Sequence, residues 1–548
     1  MTRASFTLVP AKTLPLVVAA LTFVSVKAAD VTIDPRTVHQ RIEGFGTSEC
    51  VFDDPHIFGN RVDANTGRAA VVLTTAQQDA VLDELYLSLK LTRVRPAQPD
   101  TSAGAPPPGP LPVEMTNDNA DPNVIDWSKF DFSWKRLDAH IDYVTRARSR
   151  GLDTWYLSPV FRESWMGATT TNDAAEYAEW LLAQALRCQA LGVTLPFLSV
   201  ANEPSYSRNT LSAVFIRDVI KILGPKLRAA GMSTQFVLPD DVRSTDAAAK
   251  TQTVLSDSVA RSYVGALATH LYDESITNVA KMRVLADQFG LPLWMTEFTP
   301  SLAGTAGIGS GPFDWGGLMH EMLANYNVTA FDILWGYGGN AGADTLISLN
   351  YDGSLKYTGF TRQKIFYVTG QYSRFIRPGA FRVRADSTGA TIKVTAYVDW
   401  PQLTIVAFNS NTSGNPVVTF NLTALPPVSA VTPVRTSGAE NWATLSALAI
   451  TNSAFSATLP HQSITTFTAT LPPLLLNAAL SNNFVTLTWP VAAAGFVLES
   501  ADQLSASNVW MTISNFSTVV GNQRVITLVP SDTNQFFSPQ KNLTKGTT

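Results

Sequence analysis

Leu198-Ser199-Val200-Ala201-Asn202-Glu203-Pro204 is an apolar run of strand character that ends in a glutamate, and Leu293-Trp294-Met295-Thr296-Glu297-Phe298 repeats the pattern further along the chain. A glutamate that closes a buried strand, instead of decorating a helix face, stands where a (β/α)8 barrel gathers its reacting groups, at the C-terminal ends of different strands. Cleaving a glycosidic bond through an oxocarbenium-like transition state needs two carboxyl groups. One protonates the leaving oxygen and the other attacks or stabilises the anomeric carbon. One such string would be generic; two in this order point to that chemistry.

Around these strings, short apolar runs alternate with helical stretches. Thr75 and Gln78 read as a capping box, followed by helical spacing at Leu82, Leu85 and Leu89. Besides the two glutamate strings, strands are expected at 42–46, 91–94, 154–157, 235–238, 267–271 and 330–335. Helices are expected at 134–150, 174–190, 213–230, 277–289 and 315–325, with Gly151 and Gly192 closing the first two. Eight strands separated by helices imply a closed parallel barrel. An open nucleotide-binding sheet is disfavoured, because neither Gly44-Phe45-Gly46 nor the glycines of 336–342 open a helix after a strand. From Gln371 the texture turns to period-two strands, at 381–384, 391–398, 403–408, 417–422 and 463–469, which describes an antiparallel β-domain. Pro472-Pro473 reads as a linker into a smaller all-β unit.

The chain has 548 residues, more than one average domain, and 45% hydrophobic with 15% charged residues is a globular composition. A net charge of −4 with no basic run argues against nucleic acid as a partner. Arg3 and Lys12 precede the apolar stretch Leu14 to Val26, followed by Ala28 and Ala29, as in a secretory signal. That run is shorter than the ~20 residues a membrane span needs, and no later segment reaches that length. A secreted or periplasmic monomer is expected. Cys50 and Cys188 are the only cysteines, so no disulfide framework supports the fold. Cys188 shares an apolar helix face with Tyr177, Trp180, Leu181 and Ala185 and reads as core.

From Gln40 to about Thr470 the chain resembles the retaining glycoside hydrolases of family 30, barrel glycosidases that use two glutamates. The resemblance rests on Gln40-Arg41-Ile42-Glu43-Gly44-Phe45-Gly46, Ser158-Pro159 with Trp165-Met166, Ala201-Asn202-Glu203-Pro204, His270-Leu271-Tyr272, and Trp294-Met295-Thr296-Glu297. Its least generic part is Gly370-Gln371-Tyr372-Ser373-Arg374-Phe375-Ile376-Arg377-Pro378-Gly379, the entry into a side β-domain. The expected organisation is a signal at 1–29, an N-terminal strand at 30–42 joining the β side domain, and a (β/α)8 TIM barrel at 43–366. A β-sandwich side domain at 367–471 and a small C-terminal β module at 474–548 complete the expected organisation.

Carried over residue by residue, the resemblance makes Glu203 the acid/base and Glu297 the nucleophile. Asn202 would bond the sugar 2-hydroxyl. Arg93 matches an arginine that keeps the nucleophile ionised, although a structural ion pair is an equal reading. His270 and Tyr272 would line the rim and Trp335 would floor the subsite, with plain barrel packing as the alternative for Trp335. Trp165 belongs to the loop after the third strand, where family members often have a proline-rich, tryptophan-bearing stretch. This chain reads Ser158-Pro159-Val160-Phe161-Arg162-Glu163-Ser164-Trp165 there, so its substrate pocket should differ.

In members that cut glucuronate-bearing xylan, an arginine and a tyrosine after strand eight hold the acid group. Here 336–356 has Tyr337 and Tyr351 but no arginine, which disfavours that substrate. The Pro-, Gly-, Asp- and Asn-rich segment 97–126 should overhang the site, as a subsite wall or a solvated insertion. No cofactor and no metal is expected: the six histidines are scattered, and Asp53-Asp54-Pro55-His56 reads as a polar turn before it reads as a cation site. The expected function is hydrolysis of a β-linked polysaccharide such as xylan or β-1,6-glucan or galactan. A non-catalytic carbohydrate-binding barrel and a transglycosylase are the alternatives.

Overall fold

A computed structural model describes residues 29–50, 73–97, 113–114, 116–132, 137–159, 162–166, 173–206, 210–302, 309, 311–339, 345–354, 356–504, 509–514, 517–529 and 535–541. The expected signal stretch up to residue 28 and the Asp53–His56 turn lie outside them.

After a long first strand, β1 (Ala29–Arg41), eight strands close a barrel. They are β2 (Gly44–Cys50), β3 (Arg93–Ala97), β4 (Thr154–Leu157), β5 (Phe197–Ser199), β6 (Gln235–Asp241), β7 (Val264–His270), β8 (Leu293–Glu297) and β9 (Ala330–Ile333). Every neighbouring pair is parallel, and β2 returns to β9 with Gly44 opposite Ala330. Strands buried on both faces need no polar alternation, so β4 and β8 are buried at every residue.

Helices cover the outside: α1 (Thr75–Leu82), α2 (Leu137–Arg148), α3 (Ala174–Ala190), α4 (Ala213–Ala229), α5 (Ser244–Ser256), α6 (Ser258–Arg261), α7 (Val279–Phe289) and α8 (Pro312–Asn325). In α3, Tyr177, Trp180, Leu181, Gln184 and Cys188 fall on one face and are buried, so Cys188 is core as its spacing predicts. The capping box at α1 is Thr74 with Gln77, one residue earlier than the sequence reading, because both threonines are followed three residues on by a glutamine.

The side domain is one continuous sheet in which β1 pairs antiparallel with Phe381–Ser387 and parallel with Val417–Asn421. Phe420 and Phe467 lie on strands five places apart in that sheet, yet their ring centroids are 5.1 Å apart. A flat sheet would separate such strands by about 24 Å. The sheet is therefore folded back on itself, and the sandwich core fills the fold.

Beyond Pro473, a four-stranded and a three-stranded antiparallel sheet form the C-terminal module. It packs on the side domain: Lys541 pairs with Asp399, and Ala492 is part of the side domain's core. At Gly495 a Cβ would lie 2.2 Å from the Phe381 ring, so only glycine permits this contact. Among the described residues, no helix is long and apolar enough to cross a membrane.

Candidate active site

Side chains on a strand alternate, so Arg93 and Arg95 of β3 both enter the barrel, one pleat apart. Arg93 sits in the deeper layer. Its Nε and Nη2 reach Asp332 of β9 at 3.2 and 3.3 Å, and its guanidinium lies 4.0 Å from the Trp294 ring centroid. Trp294 in turn donates to Glu43 at 2.6 Å. Gly46 opens this space, since a Cβ there would stand 2.5 Å from Asp332 Oδ1. Arg93 thus takes the structural ion-pair reading, its bonds going to Asp332 and not to Glu297.

Arg95 takes the place beside Glu297 instead. Its Nη2 donates to Glu297 Oε2, its Nη1 to the Asn202 amide oxygen, and its Nε to Ser48 Oγ at 2.8 Å. Burial works against the charge on Arg95, but Glu297 and Asp240 outweigh it, so the guanidinium stays charged. The other oxygen of Glu297 accepts the Tyr272 hydroxyl at 2.8 Å. Burial, reinforced by the Glu297 charge, holds that phenol well above its usual range and keeps it a donor. Asn202 is fixed from two sides, its oxygen by Arg95 and its backbone N–H by the Pro159 carbonyl at 2.8 Å.

Glu203 lies beyond the end of β5, where the backbone turns into the left-handed region with φ of 51°. Such a conformation costs a non-glycine residue free energy and persists where surrounding bonds enforce it. Here the Glu203 N–H donates to the Asp240 carbonyl at 2.8 Å, and Asp240 is itself left-handed, with φ of 63°. The Glu203 carboxyl meets His270 Nδ1 at 2.8 Å. Burial raises Glu203 above the usual carboxylate range, against the pull of His270.

His270 is wholly buried and lies behind the carboxyls, not on the rim as expected. Burial would lower its pKa, but the surrounding Glu297, Asp240 and Glu203 push it up to about 10. Asp240 accepts from Thr296 at 2.7 Å and from Ser158 at 2.5 Å. Against the effect of burial, Arg95 and His270 hold it well below the usual carboxylate range.

One oxygen each from Glu203 and Glu297 and a ring nitrogen of His270 all lie within 4.8 Å of one another. The arrangement therefore sets a carboxyl that burial pushes above its usual range opposite a second carboxyl held by an arginine and a phenol. Trp335 is half-buried, just beyond the last barrel strand. Trp165 is half-buried and donates its indole N–H to the Glu114 carbonyl at 3.1 Å, which ties the third-strand loop to the overhanging segment. Tyr337 is core. Arg95 and Asp240 are the participants that sequence reading missed. The sole signal for Asp240 was an acid closing the apolar run Phe236-Val237-Leu238-Pro239, the same pattern that singled out the glutamates.

No protein-family profile matches the chain. It is 25% identical over 300 residues to the endo-1,6-beta-D-glucanase neg1 of Aspergillus fumigatus, covering 52% of this chain and 57% of that protein. It is 27% identical over 301 residues to the glucuronoxylanase XynC of Bacillus subtilis, covering 54% of this chain and 66% of that protein. The chain thus spans less than two thirds of the length of either relative. Its structure matches the family 30 endoxylanase of Clostridium papyrosolvens C71 with a TM-score of 0.59 at 23% identity, over 80% of this chain and 100% of the other. The fold is that of the family 30 glycoside hydrolases.

Proposed function

We propose that this protein is a retaining β-glycoside hydrolase that cuts a neutral polysaccharide outside the cytoplasm by double displacement. Glu203 acts as general acid and then base, and Glu297 attacks the anomeric carbon. The observation that carries this reading is that one oxygen of each carboxyl lies within 4.8 Å of the other. Retaining pairs stand about 5–5.5 Å apart, whereas inverting pairs are spread to about 6.5–9.5 Å to admit the attacking water.

The environments favour the same division of labour. Burial raises Glu203 above the usual carboxylate range, the direction a leaving-group acid requires. Arg95 and Tyr272 occupy both oxygens of Glu297, stabilising the carboxylate before attack and receiving it again when the glycosyl bond breaks. Asn202 bonds the sugar 2-hydroxyl, and Trp335 and Trp165 offer flat faces to the rings.

The names of the two relatives suggest β-1,6-glucan and glucuronoxylan as substrates. With no arginine in 336–356 to meet a glucuronate, the neutral polymer is favoured. The test is proton NMR of the first sugar released, followed by product analysis on β-1,6-glucan, β-1,6-galactan, xylan and glucuronoxylan. The β-anomer should appear first. An α-anomer first would sink the nucleophile assignment, and hydrolysis of none of the polymers or of aryl β-glycosides would leave the carbohydrate-binding alternative.

A further inference from the structure

A second group of acids lies outside the catalytic mouth, where residues 113–132 cross the first turn of α3. Asp118 from that segment and Glu176 and Glu179 from α3 each place a carboxylate oxygen within 4.8 Å of the others. All three are at most 9% exposed, and Glu179 is 2% exposed. Neither Glu179 oxygen receives a hydrogen bond from any donor group among the described residues.

Glu176 and Glu179 stand within hydrogen-bonding reach of each other. Two carboxylates can be that close only if they share a proton or a cation. Asp173 adds further negative charge beside Glu176. Lys226 is the cation whose charge reaches Glu179, and its ammonium donates to the Pro122 carbonyl at 2.6 Å. Buried charge of one sign is costly unless it is neutralised.

We propose that Asp118, Glu176 and Glu179 bind one calcium ion that ties segment 113–132 to the first turn of α3. Two oxygens bound to one calcium at about 2.4 Å can stand no more than about 4.8 Å apart, which is the limit these three meet. The donors are hard oxygens with neither imidazole nor thiolate among them, which suits calcium over zinc. Asp118 is held in place to serve, since its oxygens accept the Asn119 and Asp126 N–H groups at 2.8 and 2.5 Å. The same segment carries the Glu114 carbonyl that holds the Trp165 indole, so the ion would fix the wall that positions this ring. The proposal does not depend on the catalytic reading.

The test uses the full chain, stripped with EDTA, dialysed and titrated with CaCl2 at neutral pH by calorimetry. A single saturable site is expected, with a melting temperature raised on the order of 2–4 °C at saturation and a weaker response to MgCl2. Glu179→Gln should weaken calcium binding by roughly tenfold or more. Glu203→Gln should leave it unchanged, which separates this site from the catalytic pair. If Glu179→Gln does not fold, Asp118→Asn carries the same comparison. A chain that shares a proton between Glu176 and Glu179 would give no saturable heat with CaCl2 and would be stabilised by falling pH; that result overturns the proposal. Calcium binding unaltered in Glu179→Gln or Asp118→Asn would overturn it equally.

Discussion

Arg93 and Arg95 are two residues apart on one strand, both buried and both paired with acids, yet they belong to different parts of the molecule's work. Arg93 lies in a closed layer with Asp332, Glu43 and Trp294, where every bond ends within the barrel wall. Arg95 lies one pleat higher and holds groups that face the mouth, Glu297 and Asn202. The difference teaches that burial and charge pairing do not by themselves mark a functional residue. What matters is whether the partner's remaining atoms can meet a ligand.

The sharpest way to break this contrast is at the carboxyls themselves. Glu297→Ala should abolish turnover on natural and aryl substrates alike, by roughly 10⁴-fold or more, with azide rescuing only through an α-linked product. Glu203→Ala should lose about 10²–10⁴-fold on natural substrates. It should still attack an aryl glycoside whose phenolate leaves unaided, with azide hastening a β-linked product. Equal losses in both variants on both substrates, with no rescue, would leave the two roles without support.

The arginines come next. Arg95→Met should lower kcat/KM by roughly 10²–10³-fold, in the range of lost transition-state electrostatics, in whatever fraction folds. Arg93→Met should instead cost about 3–5 kcal/mol of stability by stranding Asp332, and the surviving folded fraction should turn over normally. Denaturant titration and active-site-normalised kinetics on the pair check this, and a reversed pattern would refute the assignment of layers.

The smallest effect is in pH. His270 is raised from 6.5 to about 10, so its contribution to stability is complete below about 6.5 and is lost as pH rises through about 10. Glu203, also raised, works in the same direction. Melting temperature should therefore decline on the alkaline side in the native chain and in Arg93→Met, and less in His270→Asn. Activity should peak on the acidic side of neutral. A flat melting profile from neutral to alkaline pH would show that the upper layer does not hold these protons.

The two glutamates were legible because each closes a short apolar string that predicts a strand; Asn202, His270 and Tyr272 were singled out through the family resemblance, and His270 lies behind the carboxyls instead of on the rim. Arg95 was not, for a geometric reason. Strand parity assigns both arginines to the interior, but the layer each occupies depends on strand tilt and stagger around the whole barrel, which no local string contains. The helix α5 escaped notice because its buried face is made of Ser244, Ala247, Thr251, Val254 and Leu255, too weakly apolar to stand out. The acid cluster at α3 was invisible for a third reason: Asp118 and Glu176 are far apart in sequence and meet only when the segment crosses the helix.

The pairing of β1 has a consequence for how the protein is made. This strand is the first of the described elements to leave the ribosome, and its partners, Phe381–Ser387 and Val417–Asn421, arrive after the entire barrel. Until then both of its edges are open to mispairing. Once they arrive it acts as a clasp, an early segment locked inside a late sheet with the barrel held between. The side domain without β1 lacks a central strand, so the span 367–471 expressed alone would be a sheet with its middle missing.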